Sequence, residues 1–222
     1  KGVDADFESQ SKVHCVGSEI TLIDKSDSDT TIHTIKWLVN GEADSGPTVT
    51  KTYHKDGPVK IVQMIADNNG CKDTLVDDAS FVIGDTLPPD PVNIYRITVE
   101  NDYTTLLEFQ PSKALDFRAY HVSRFGNVNN AFTVANRDDT SHYDNGLNTL
   151  QEVYCYQVKV ENACGKFSDT LLVPSHCTVE SKAKGEVNQV RVNWNAYRGW
   201  PVQKYRVYRE ERNQVGSYIL LD

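Results

Sequence analysis

Hydrophobic and polar residues alternate most regularly from residue 153 to residue 161. Tyr154, Tyr156, Val158 and Val160 are large and apolar, and Cys155, Gln157, Lys159 and Glu161 stand between them. A period of two marks a strand with one buried face. The run Asn162-Ala163-Cys164-Gly165 that follows carries turn residues. Shorter alternating runs recur along the chain. In the first part they predict strands over 5–9, 19–24, 34–39, 48–54, 59–67 and 74–83. Val59, Ile61, Gln63 and Ile65 share one face, as do Ile20, Leu22 and Asp24. Asn40-Gly41, Asp56-Gly57 and Asn68-Asn69-Gly70 predict turns, and the polar stretches 25–31 and 42–47 read as loops.

A second group of strands is expected over 93–100, 104–110, 118–124, 131–135, near His142 and Tyr143, over the 153–161 run, and over about 171–178. A third group covers 178–183, 189–193, 202–209 and 216–221. Pro88, Pro89 and Pro91 cannot join a sheet interior and predict a stiff connector. Short strands at roughly ten-residue spacing predict an all-β chain of tandem Ig-like β-sandwiches. The expected divisions are 1–85, 86–177 and 178–222. The last, with four strands, is expected to be a truncated sandwich whose core the polypeptide completes further on.

Composition narrows the function. The chain has 222 residues and a formal net charge of -8, which argues against a nucleic-acid partner, whose phosphates demand basic patches. No apolar run approaches the ~20 residues of a membrane-spanning helix. The sequence opens at Lys1, so the start is expected to be processed or truncated. Five cysteines with no C-x-x-C pair suit structural disulfides in an oxidising compartment better than a zinc ribbon. A hairpin turning near Gly165 and Lys166 places Cys155 opposite Cys177, within bridging distance of a cross-strand pair. Cys164, at the turn itself, is then unpaired, either a packed turn thiol, the preferred reading, or a reactive one.

Candidate chemistry is sparse. The six histidines show no metal-pair spacing and read as surface residues. Asp24, Asp27 and Asp29 flank a loop rich in carboxylates and hydroxyls. Asp27 and Asp29 are the first place to seek Ca²⁺, which wants several converging oxygens; Asp77-Asp78 and Asp138-Asp139 are weaker candidates. No G-x-S-x-G, P-loop or H-E-x-x-H sequence occurs, and the chain reads as non-catalytic, with no cofactor. Tyr197, Trp200 and Tyr208 are candidate glycan contacts. The competing and preferred reading is that they pack between adjacent domains.

Three stretches resemble known families. Trp37-Leu38-Val39-Asn40-Gly41, with Thr52-Tyr53-His54-Lys55-Asp56-Gly57 leading into 59–67, resembles a PKD domain, itself an Ig-like sandwich. In bacterial surface members of that family, cysteines placed like Cys15 and Cys71 typically pair, so the resemblance implies a Cys15–Cys71 disulfide. Phe109 in the core tryptophan place, Tyr120-His121-Val122, and Tyr154, Tyr156, Val158, Asn162 and Gly165 resemble a fibronectin type III domain. Tyr154 would be its tyrosine-corner residue. Trp194, Tyr205 and Val207 repeat that pattern roughly 85 residues on. Residues 192–200 and 205–209 resemble the region before the C-terminal sorting domain of large secreted Bacteroidetes proteins, the gliding-motility-associated cargo of the type IX secretion system. The resemblance implies a stalk or spacer of a secreted, outer-membrane-attached surface protein of a Gram-negative bacterium, adhesion-related. Its partners would be the secretion machinery, reached through a C-terminal domain outside these residues, and surface glycans or proteins. The alternative is a carbohydrate-binding or spacer module of a secreted polysaccharide-degrading enzyme.

Overall fold

The computed structural model describes residues 2–10, 13–78, 81–211, 214 and 216–221. These residues form strands, turns and irregular segments without a helix, so no helix is long and apolar enough to cross a membrane.

The first unit contains β1 (Phe7–Ser9), β2 (Val13–Cys15), β3 (Glu19–Asp24), β4 (Ile32–Val39), β5 (Glu42–Ser45), β6 (Thr48–Thr52), β7 (Gly57–Pro58), β8 (Ile61–Asp67), β9 (Lys72–Asp77) and β10 (Val82–Gly84). One sheet has the order β5-β4-β8-β9 and a second β1-β3-β6; β2, β10 and β7 form a short third. The alternation read from the sequence sets the core: Ile20, Leu22, Trp37, Val39, Val49, Val59, Ile61, Phe81 and Ile83 form one buried cluster. Trp37 is fully buried and its indole N–H donates to the Gly46 carbonyl at 2.9 Å. Gln63 shares the buried face, and its amide donates to the Asp24 carboxylate. Its N–H group is satisfied there because β3, in the other sheet, brings an acceptor inward, while its amide oxygen is left without a donor.

Two expectations are corrected in this unit. The stretch 42–47, expected as a loop, supplies the exposed edge strand β5. Asn40 and Gly41 both take positive φ, 49° and 85°, the backbone a two-residue hairpin needs, and the turn pairs β5 with β4 despite its polar composition. The strand expected over 74–83 is two strands, β9 and β10; residues 79 and 80 between them lie outside the described residues.

The second unit contains β11 (Ile94–Asn101), β12 (Thr104–Phe109), β13 (Phe117–Phe125), β14 (Asn130–Val134), β15 (Ser141–Asn145), β16 (Cys155–Asn162) and β17 (His176–Cys177). Sheet β11-β12-β15 faces sheet β14-β13-β16-β17, an Ig-like arrangement. Between them lie Leu107, Phe109, Tyr120, Val122, Tyr154, Tyr156, Val158 and Val160. Phe109 is fully buried, edge-on to Tyr120 with ring centroids 4.9 Å apart. The Tyr154 hydroxyl accepts the Asn148 N–H at 2.9 Å and donates to Glu152, which is how a tyrosine corner ties a crossing loop to its strand. The strand expected over 171–178 shrinks to His176–Cys177. Pro174 has no N–H to give a ladder, and the segment before it leaves the sheet with Leu171 almost wholly exposed.

Beyond Thr178, β18 (Ser181–Glu186) pairs with β19 (Gln189–Trp194), and β20 (Val207–Glu210) with β21 (Tyr218–Leu221). Trp194, which the resemblance puts at the core tryptophan position of a truncated sandwich, is 40 % exposed and packs on Tyr205 with ring centroids 5.6 Å apart. Val190, Val192, Trp194, Tyr205, Val207 and Leu221 line an open apolar groove of about 870 Å³ between the two hairpins.

Candidate functional site: a disulfide junction and an aromatic cluster

The parallel pairing of β2 with β10 sets Cys15 beside Gly84, the last residue before the proline connector. The turn after β16 holds Cys164. The two cysteines are joined across the units, with their Cα atoms 5.7 Å apart. A Cβ on Gly84 would lie 2.8 Å from Cys164 Sγ and 3.0 Å from Asp116 Oδ2, closer than real contacts allow, so glycine is what lets the turn approach.

Hydrogen bonds complete the joint. Asn162, 1 % exposed, donates its amide to the carbonyls of Asp85 and Leu87 at 2.9 and 3.1 Å. Its side-chain oxygen accepts the N–H groups of Cys164 and Lys166. Asp116 accepts the Asp85 N–H at 2.9 Å through its carboxylate, and its carbonyl accepts the Ala163 N–H at 2.7 Å. The connector is therefore strapped to the second unit at its first residues. Burial holds the Asp116 carboxyl above the ordinary carboxylate range, and the nearby charges of Asp85 and Asp56 add to that, while the Asp85 N–H works against it.

This arrangement overturns two cysteine assignments. Cys15 does not pair with Cys71, and Cys164 is not unpaired; Cys71 is the exposed free thiol. The reason is the length of β8. Its seven residues span roughly 20 Å, and they separate Cys71, whose N–H is held by Asp67 beyond the far end, from the β7–β10–β2 edge that carries Cys15. A disulfide needs Cα atoms within about 7 Å. Cys155 and Cys177 stand opposite each other in the β16–β17 ladder and are bonded.

The second cluster lies where residues 197–201 fold back on β17. The Cys177 N–H donates to the Arg198 carbonyl at 3.0 Å. His176 Nδ1 and the Tyr197 hydroxyl are 2.6 Å apart, and Trp200 lies over the imidazole with ring centroids 4.6 Å apart. His176 is buried, so the reading of all six histidines as surface residues fails here. Burial lowers the His176 pKa and pushes the Tyr197 hydroxyl up to about 12. Tyr197 and Trp200 come together as rings 5.1 Å apart, and Trp200 keeps 43 % of its surface exposed. With Tyr95, His176 and Pro201 it borders a shallow depression of about 580 Å³. Tyr208 is not brought to them; it lines the groove between the hairpins.

Asp27 shares a backbone bridge with Asp4. The hydroxyls of Ser28 and Thr30, in the same loop, donate to the Asp67 carboxylate. Among the described residues no three His, Cys, Asp or Glu side chains converge as a metal site. Gly84 and Asp116, which the sequence did not single out, carry much of the first cluster, with Asn162, read only as a turn and motif residue; His176, read only as a surface histidine, carries much of the second. The turn cysteine was the available signal for the first.

No family model matches the chain, and no curated protein matches it. The chain is similar to solved β-sandwich structures. The FN1–FN3 domains of chicken CNTN1 share 10 % identity with a TM-score of 0.48, over 74 % of this chain and 62 % of that one. The chain thus spans less than two thirds of that fragment. Fibronectin(III)-like modules of Clostridium thermocellum CbhA share 11 % identity with a TM-score of 0.39, over 75 % of this chain and 89 % of that one. A structure described as carbohydrate-binding modules from the β-sandwich superfamily shares 12 % identity with a TM-score of 0.38, over 76 % of this chain and 99 % of that one.

Proposed function

We propose that this chain is a non-catalytic stalk and interaction region of a secreted cell-surface protein, adhesion-related and exported by the type IX route. The observation that carries the reading is the junction. The first two sandwiches are tied to each other by Cys15–Cys164 and by the Asn162 and Asp116 hydrogen bonds to the connector. A swinging linker would need none of these. Fixed spacing between modules is what a stalk requires, and disulfides of this kind persist in oxidising, extracellular surroundings. The export route and the outer-membrane attachment rest on the resemblance of residues 192–200 and 205–209, and the secretion machinery would be reached through a domain outside these residues.

The exposed face of Trp200 beside Tyr95 favours a second reading, a glycan-contacting module of a polysaccharide-degrading enzyme, since aromatic faces stack on sugars. A glycan array with the whole chain separates the two. The stalk reading expects no saturable binding that depends on this cluster. Saturable binding that Trp200→Ala abolishes, with the fold intact by circular dichroism, overturns it in favour of the second.

A further inference from the structure

We infer that the two disulfides form a covalent load bypass: tension along the chain crosses from Cys15 to Cys164, runs back along β16 to Cys155, and crosses to Cys177. The inference takes its purpose, though not its mechanics, from the stalk reading.

Cys15 lies before the core of the first unit and Cys164 after the core of the second, 149 positions on. The bridged Cα atoms are 5.7 Å apart, so the loop between them begins and ends at one point. Every member of the first core cluster, from Ile20 to Ile83, lies inside that loop. So do the second cluster's members from Val92 to Tyr154. Pulling on the chain ends cannot draw these residues into the line of force while the bridge is closed. The second bridge, spanning 22 positions, interlocks with the first, because Cys155 is inside the large loop and Cys177 outside it. The slack of the irregular segment before β17 is thereby excluded too. What remains in line is β16, an inner strand of its sheet, paired with β13 along its length.

The limit has a size. With both bridges closed, the covalent route from Cys15 to Cys177 contains only the residues from 155 to 164. With the first bridge open and the second closed, it contains residues 15 to 155. The difference is about 130 residues, which at roughly 3.4 Å each is about 450 Å of extension withheld. The pairing expected from the sequence would behave otherwise. A Cys15–Cys71 bridge would leave the whole second sandwich up to Cys155 free to unravel.

Single-molecule pulling on the full 222-residue chain, held at its two ends, tests this. The oxidised chain should lengthen only by the residues before Cys15 and after Cys177. Cys15→Ser should release a further 450 Å or so in one or more unfolding steps, and Cys71→Ser should match the unaltered chain. Should Cys15→Ser fold poorly, the unaltered chain pulled before and after dithiothreitol gives the same contrast, the fully reduced chain gaining slightly more. An oxidised chain that releases the cores, or a Cys71→Ser chain that gains length, overturns the inference. The outcome is separable from the stalk reading. A chain that keeps the limit yet binds glycan through Trp200 retains the bypass and loses the stalk.

Discussion

Removing Cys15 should destabilise residues far from it. The Cys15–Cys164 bond closes a loop of 149 positions, and the chain-entropy relation gives about 5 kcal/mol of stabilisation for a loop of that length. Residual structure in the unfolded chain lowers the figure, as does the second bridge, which already restrains β16. The working expectation for Cys15→Ser is a loss of about 3–5 kcal/mol. With an m-value of about 2–3 kcal/mol/M, the urea midpoint should fall by roughly 1–2 M. Trp37 is fully buried in the first core whereas Trp194 and Trp200 are already 40 % and 43 % exposed, so the main change in tryptophan fluorescence on unfolding reports that unit, and far-ultraviolet circular dichroism reports the strands of both. Cys164→Ser should reproduce the loss. Cys71→Ser, at an exposed free thiol, should stay within about 0.5 kcal/mol. Equal losses for Cys71→Ser and Cys15→Ser would refute the junction and restore a bridge internal to the first unit.

Three further outcomes follow from the same contacts. Gly84→Ala should cost about 1–3 kcal/mol, because its Cβ would meet Cys164 Sγ and Asp116; a thermal melt indistinguishable from the unaltered chain would show that the turn can retreat. Asp116→Asn should stabilise the chain at neutral pH and much less at pH 3. A carboxyl held above its ordinary value contributes fully when protonated in both states, and that contribution is lost as pH rises through the raised value. Melts at the two pH values check this, and a gap that does not change with pH counts against it. Tyr154→Phe should cost about 0.5–1.5 kcal/mol in urea unfolding, since the part-buried Asn148 N–H loses its acceptor; no loss would mean that water replaces the hydroxyl.

The alternating strands were legible because burial on one face imposes a period of two. Tyr154 to Val160 and Val59 to Ile65 show it, and their apolar members are buried as read. β5 was not legible, because a hairpin turn can pair a strand that has no buried face of its own. Pro174 is a readable break in the last strand of the second unit, since it has no N–H for a ladder. Cysteine pairing was legible where it is local. Cys155 and Cys177 are fixed by hairpin register, whereas Cys15 and Cys164 meet only through the packing of one unit on another. Nothing in the composition around Gly84 signals that a turn some eighty residues later will rest on it. The aromatic cluster was half legible. Trp200 and Tyr197 stood out by type, but His176, which organises them, did not, and Tyr208 belongs elsewhere.

The covalent tie between the first two sandwiches is tested most directly by a peptide map under non-reducing conditions. Trypsin cutting after Lys25, Lys72, Lys159 and Lys166 places Cys15, Cys71, Cys155, Cys164 and Cys177 on separate peptides. With free thiols alkylated first, the account predicts a cross-linked peptide containing Cys15 and Cys164, a second containing Cys155 and Cys177, and alkylated Cys71. A cross-linked peptide containing Cys15 and Cys71, with the label on Cys164, would contradict it.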